Sequence, residues 1–254
     1  MRFATHDPRS KRCVMKRFLI LQLRPEPDAS DGEYAAFLAK GGLTPDEVHR
    51  VCLDRDPLPE GLQLEDYAGV IVGGGPGCVS DDPADKDPIE AKIEAEILSL
   101  MPEITSRDVP FMGCCYGIGI LGHHLGAEVS KRRYGEAVGA VTCEVLATDP
   151  LLDGLPERFD AFVGHKEAVQ HLPDGCVHLL ASDPCPYQMI RYGQNVYATQ
   201  FHPEADGDVF AERIKIYKHR GYFAPEAADD LIATCQAADV TVPVEILRRF
   251  IERY

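Results

Sequence analysis

No stretch of this chain stays apolar for anything near the ~18 residues that a membrane-crossing helix needs, so it reads as a soluble globular protein. A positive balance of charge is missing as well. With 26 Lys and Arg against 41 Asp and Glu, the formal charge of -15 argues against nucleic acid and against an anionic membrane as partners. The 9 cysteines are odd in number and lack the paired spacing of metal ligands. They fit reduced thiols in the cytoplasm better than a disulfide framework or a zinc site. The chain start is rich in Arg and Lys but has no apolar core of a signal peptide. Residues 1–16 therefore read as a disordered leader, with Met15 an alternative start, and 17–254 as one domain with a C-terminal helical extension. No repeat or low-complexity tract interrupts it.

What is present is an alternation of strand and helix signals. Arg17 to Leu23 is a mostly apolar run, as expected of a strand buried on both faces of a parallel sheet. Arg24 to Gly32, with two prolines and three acids, reads as a loop before a helix at Glu33 to Lys40, which Gly41-Gly42 ends. Strands at Val48 to Leu53 and Ala68 to Val72 follow, then helical periodicity over Asp87 to Leu100. Strands are expected at Ala140 to Ala147, Phe159 to Val163, Val177 to Ala181, Gln188 to Tyr192 and Asn195 to Gln200. Asp206 to Tyr217 and Pro225 to Tyr254 read as helical, with an amphipathic closing helix around Leu247 to Ile251 packed on the sheet. The pattern predicts a doubly wound, flavodoxin-like α/β fold with a mostly parallel central sheet.

Val109 to Leu121 runs from an apolar strand through Gly113-Cys114-Cys115-Tyr116-Gly117 into a helix. Small residues on both sides of Cys115 permit the sharp strand-to-helix turn of a nucleophile elbow. At a helix N-terminus the dipole favours the thiolate, so the attacking species is expected near neutral pH. Cys114 points back toward the sheet. A rival reading of the same stretch is the G-x-G-x-x-G of Gly117 to Gly122, a dinucleotide-binding pattern. A base elsewhere for the thiol decides between them.

That base is offered by Gln200-Phe201-His202-Pro203-Glu204. If the preceding strand continues through it, His202 and Glu204 share a face roughly 6–7 Å apart at the backbone, with Pro203 keeping them extended. The carboxylate then orients the imidazole, and the imidazole serves the thiol. His123 and His124 lie about 12 Å or more down the helix axis from Cys115 and read as structural. The glycine run Gly73-Gly74-Gly75-Pro76-Gly77 leaves a strand on the side where such sheets bind ligands, and its backbone, Gly74 included, can approach a substrate closely. It lacks the Lys-Ser/Thr of a phosphate loop.

The Cys115 elbow together with His202-Pro203-Glu204 resembles the class I, or triad, glutamine amidotransferases, and most of all the glutaminase domain of GMP synthase. Arg133-Tyr134-Gly135 and Gly164-His165-Lys166-Glu167 add to the resemblance. It implies a catalytic Cys115, His202 and Glu204, with the amides of Gly75 and Tyr116 forming an oxyanion hole. It further implies glutamine contacts at Tyr134 and Gly135 and a loop at His165 near a partner or substrate, with no cofactor and no metal. Two positions depart from the pattern. Gly119 stands where many relatives carry a substrate-holding Gln, and Gly-His-Lys-Glu replaces Ser-His-Gly-Asp. The ATP pyrophosphatase signature of GMP synthase is absent from these residues, so amination calls for a separate ATP-dependent synthetase subunit. A stand-alone γ-glutamyl amide hydrolase and a redox-sensing or regulatory module remain as alternatives.

Overall fold

Alternation along the first strand sets the two faces of the molecule. In β1 (Phe18–Gln22), Leu19 and Leu21 join one apolar cluster while Phe18 and Ile20 join another, the two-residue period of a strand covered on both sides. The computed structural model describes residues 16–254; the expected leader, all but Lys16, and Met15 lie outside the described residues. After β1 come α1 (Pro27–Gly41), β2 (Val48–Cys52), β3 (Gly69–Val72), α2 (Pro88–Arg107), β4 (Phe111–Cys114) and α3 (Tyr116–His124). Short β5 (Val129–Ser130) and β8 (Ala168–Val169) pair with each other, outside the main sheet. The main sheet continues with β6 (Glu136–Val145), β7 (Arg158–His165), β9 (Cys176–Ser182), β10 (Met189–Tyr192) and β11 (Val196–Thr199). Three helices close the chain: α4 (Gly207–Tyr217), α5 (Ala228–Ala237) and α6 (Val242–Arg253).

The nine strands lie in the order β2-β1-β3-β4-β11-β10-β9-β6-β7. From β2 to β11 every pairing is parallel, and from β11 onward every pairing is antiparallel. The parallel half is the doubly wound α/β sheet expected from the sequence, with the flavodoxin-like strand order. Ile93, Ile97, Met101 and Ile104 of α2 pack on the Leu19 face together with Ile118, Ile120 and Leu121 of α3. Phe37 of α1 and Ile246, Leu247 and Phe250 of α6 pack on the Phe18 face. Phe250 is fully buried with its ring 6.1 Å from that of Phe18, and burial of such a side chain contributes about 1.5–3 kcal/mol. None of the described helices is long and apolar enough to cross a membrane.

Several elements depart from their expected bounds for identifiable reasons. The loop read over Arg24 to Gly32 is half helix, because Pro27 supplies the fixed φ favoured at a first helical position and Asp28 an acid in the first turn. The second helix runs on through Pro102 to Arg107 and stops at Asp108, which has φ 52. The C-terminal helical stretch is broken between α5 and α6, where Pro243 re-enters helix in the first turn. Most relevant to the site, β11 ends at Thr199 and the expected extended His202-Pro203-Glu204 is instead a turn, closed by Ala205 N donating to His202 O at 3.3 Å. Pro203 pre-sets the second position of that turn.

Candidate active site

The carboxyl ends of β1, β3, β4 and β11 gather the residues singled out by the sequence, at the crevice where open α/β sheets bind ligands. Cys115 follows β4 at φ 55 and ψ -91, a backbone state an L-residue rarely holds, and Tyr116 opens α3 directly after it. Gly113 makes this turn sterically feasible. A Cβ there would sit 3.0 Å from the backbone of Gly117 and 2.8 Å from the Phe111 ring. Cys114 is fully buried in the sheet and takes no part in the site.

His202 lies behind the elbow. Its Nδ1 is 2.9 Å from Glu204 Oε1, which turns Nε2 to the opposite side of the ring. The ring edge lies against Gly74, where an added Cβ would be 2.6 Å from Cε1 and 3.5 Å from Nε2. A Cβ on Gly73 would lie 2.3 Å from Glu33 Oε2, so the glycine run is set by two side chains pressed against it. Gly74 therefore seats His202 and Arg24 rather than lining the cavity itself.

Cys115 opens onto two adjoining cavities. His202 lines one with Arg24, Arg213, Phe210 and Tyr217; Tyr116 lines the other with Gly119, Glu167 and Gln200. Gly75, Gly164 and Tyr222 border both. Among the described residues the amides of Gly75 and Tyr116 donate to no backbone carbonyl, which leaves two N–H groups beside the sulfur.

A ring of buried charge surrounds the imidazole, and sequence reading missed it. Arg24 Nε donates to Glu33 Oε1 at 2.9 Å, and Gly74 N donates to the same oxygen at 3.1 Å. Arg213 Nη2 donates to Glu204 Oε1 at 2.7 Å and lies 3.7 Å from Glu33. The signals were an Arg directly after the apolar run of β1 and an Arg within the Phe210, Ile214 stripe of α4. Burial opposes ionisation of Glu204, but His202 and Arg213 outweigh it and hold this carboxyl well below the usual range. Burial, against the pull of Glu204 and with the help of Arg213 and Arg24, lowers His202 below the ordinary imidazole value. Burial also pushes the Cys115 thiol up to about 12, with Arg24 the largest opposing influence. The thiolate expected at neutral pH is thus corrected: at rest the sulfur keeps its proton, because desolvation outweighs the helix dipole.

Three other expected positions fall differently. His165 is no exposed loop residue but the buried end of β7, with Nε2 2.6 Å from Glu136 Oε2 and Nδ1 2.8 Å from Glu167 O. This corrects its reading as a partner contact, since both ring nitrogens are engaged inside the fold. Tyr134 and Gly135 border neither cavity; Gly135 packs on the Lys166 carbonyl, 3.1 Å from where a Cβ would be. Glu136, His165 and Cys185 bring ligand-type atoms within 4.8 Å of one another, yet Gln188 and Ser182 complete a hydrogen-bonded network around Glu136 that uses them without an ion. His124 Nε2 bonds Thr105 Oγ1 at 3.0 Å and braces α3 against α2.

The fold and the elbow define an α/β protein with a cysteine and a histidine at the carboxyl edge of a parallel sheet. The family model for glutamine amidotransferase class-I matches residues 47–215, and the chain belongs to that family. A GMP synthase [glutamine-hydrolyzing] from Thermosipho africanus is 32% identical over 164 residues, which are 63% of this chain and 28% of that protein. The chain thus matches well under half the length of this relative. The crystal structure of a glutamine amidotransferase from Thermotoga maritima superimposes with a TM-score of 0.73 at 21% identity, covering 94% of this chain and 97% of the other. Another, from Methylobacillus flagellatus, gives 0.67 at 24% identity, covering 94% and 95%. These likenesses show the fold.

Proposed function

We propose that the protein hydrolyses the side-chain amide of glutamine through a cysteine thioester and passes the ammonia to an acceptor or to a separate ATP-dependent synthetase subunit. The observation that carries this reading is the meeting of Cys115 and His202 on one cavity, with Glu204 fixed behind the imidazole. Membership of the amidotransferase family supports glutamine as the substrate.

In this reading the Cys115 sulfur attacks the amide carbon while His202 Nε2 takes its proton. The thiol is protonated at rest and the imidazole is not, so the base has a proton to remove and a free lone pair to remove it with. The tetrahedral oxyanion is held by the amides of Gly75 and Tyr116. His202 then protonates the departing nitrogen, and water, activated by the same imidazole, resolves the thioester. Since the leaving nitrogen must face His202, the glutamyl arm extends into the other cavity, the one lined by Tyr116 and Gly119.

Ammonia release from L-glutamine, by the purified protein alone and with candidate synthetases, tests this beside a Cys115→Ala control. Release is expected from the wild type and not from the variant. Activity persisting in the variant removes Cys115 from the mechanism. Turnover of γ-glutamyl amines without turnover of glutamine makes the protein a stand-alone γ-glutamyl amide hydrolase instead.

A further inference from the structure

Five carboxylates are buried among the described residues: Glu33, Glu136, Asp149, Glu167 and Glu204. Four have a basic partner. Arg24 meets Glu33 at 2.9 Å, His165 meets Glu136 at 2.6 Å, Arg191 meets Asp149 at 2.9 Å and Arg213 meets Glu204 at 2.7 Å. Glu167, 8% exposed, is in no ion pair among the described residues. Its oxygens accept only the amides of Val79 and Ser80, each at 2.8 Å. The nearby lysines are engaged elsewhere: Lys131 pairs with Asp81, while Lys166 lies 4.2 Å over the Tyr222 ring and donates to Arg220 O. A carboxylate taken out of water costs free energy unless a cation meets it, and each oxygen of Glu167 keeps a lone pair free.

This carboxylate borders the cavity on the Tyr116 side of Cys115, where the proposed reaction places the glutamyl arm. Room for it comes from Gly119, where a Cβ would stand 3.1 Å from Glu167 Oε1. Gly119 lies one helical turn beyond the nucleophile, ~6 Å along the axis. In glutamine the reacting carbon and the α-nitrogen are four bonds apart, each ~1.5 Å. The lengths match.

We propose that Glu167 receives the α-ammonium group of the substrate, so that the site selects γ-amides of glutamate with a free amino group. This assignment rests on the glutaminase reading for its choice of substrate, and a deaminated analogue, glutaramate, separates the two. Binding of L-glutamine and of glutaramate to the Cys115→Ala protein is measured by calorimetry, and initial rates with both are measured for the wild type and Glu167→Gln. Glutamine is expected to bind about 30-fold more tightly than glutaramate, the scale of one hydrogen bond to a charged group. Glu167→Gln raises KM for glutamine by a similar factor with little change in kcat, and leaves glutaramate almost unaffected. Equal binding of the two ligands, or no binding of glutamine, overturns the assignment. So does a Glu167→Gln protein that loses both substrates in equal proportion, since that is what a purely structural carboxylate predicts. The ligand comparison needs no change at residue 167, so misfolding of the variant does not protect the idea. Discrimination in binding without ammonia release by the wild type sinks the glutaminase reading and leaves Glu167 in its role.

Discussion

One oxygen of Glu204 serves two partners: Oε1 accepts from Arg213 Nη2 at 2.7 Å and lies 2.9 Å from His202 Nδ1. The guanidinium thus stands behind the carboxylate that holds the imidazole. Its charge also bears on titration. Burial, Arg213 and Arg24 lower His202 while Glu204 raises it, so removing Arg213 removes one of the lowering influences and the imidazole takes up its proton at higher pH. Because protonated His202 cannot act as the base, the acid limb of kcat/KM moves upward in Arg213→Met, with activity near neutrality falling about tenfold. Arg213→Lys keeps the charge and restores the limb. An acid limb that stays in place in Arg213→Met shows that the guanidinium does not tune this histidine.

Cys115 stores strain. Its φ of 55 with ψ -91 lies outside the regions L-residues occupy freely, and such a state costs of order 1–3 kcal/mol. Glycine adopts it without that cost, at the expense of a more flexible unfolded chain. Cys115→Gly should therefore abolish ammonia release while raising stability by about 1 kcal/mol, or ~2–4 °C in melting temperature for a chain of this size. A melting temperature below that of the wild type in scanning calorimetry counts against strain at the elbow.

The parts of this fold written in local pattern were legible from the sequence, and those made by distant contacts were not. The apolar runs marked β1, β3 and β4 within a residue or two, and the elbow and His202-Pro203-Glu204 stand in contiguous segments. Arg24, by contrast, donates to Tyr217, a residue 193 positions away, and no local pattern announces such a pair. The state of the Cys115 thiol was misread for the same reason: the helix dipole is visible in the segment, whereas the burial that overcomes it comes from His202, Tyr222 and Arg24 packed around the sulfur. His165 looked like a loop residue because its partner Glu136 lies on a neighbouring strand.

Gly113 is predicted to tolerate no side chain. An alanine Cβ would press on the Gly117 backbone at 3.0 Å and the Phe111 ring at 2.8 Å, and backbone at the start of α3 cannot yield as a flexible side chain would. Overpacking of this kind costs about 1–3 kcal/mol and pushes α3, with the Tyr116 amide, away from Cys115. Gly113→Ala should lower both the melting temperature and kcat, whereas Gly126→Ala, at a position with φ 80 and open space, should cost stability alone. Wild-type kcat in Gly113→Ala would separate the elbow geometry from the reaction.

Glu33 ties the site to the first helix. It accepts from Arg24 at 2.9 Å, Gly74 N at 3.1 Å and Gln22 Nε2 at 3.2 Å, all within buried surroundings. Removing this carboxylate alone strands the Arg24 guanidinium without its counter-charge, which costs about 3–5 kcal/mol in a buried pair. Removing the guanidinium as well takes away the uncompensated charge. The double variant Glu33→Ala, Arg24→Met should therefore unfold at a higher urea concentration than Glu33→Ala alone, even though it has lost one more native contact. If the two losses simply add, the ion pair is not what organises this corner, and the backbone bond from Gly74 carries the weight instead.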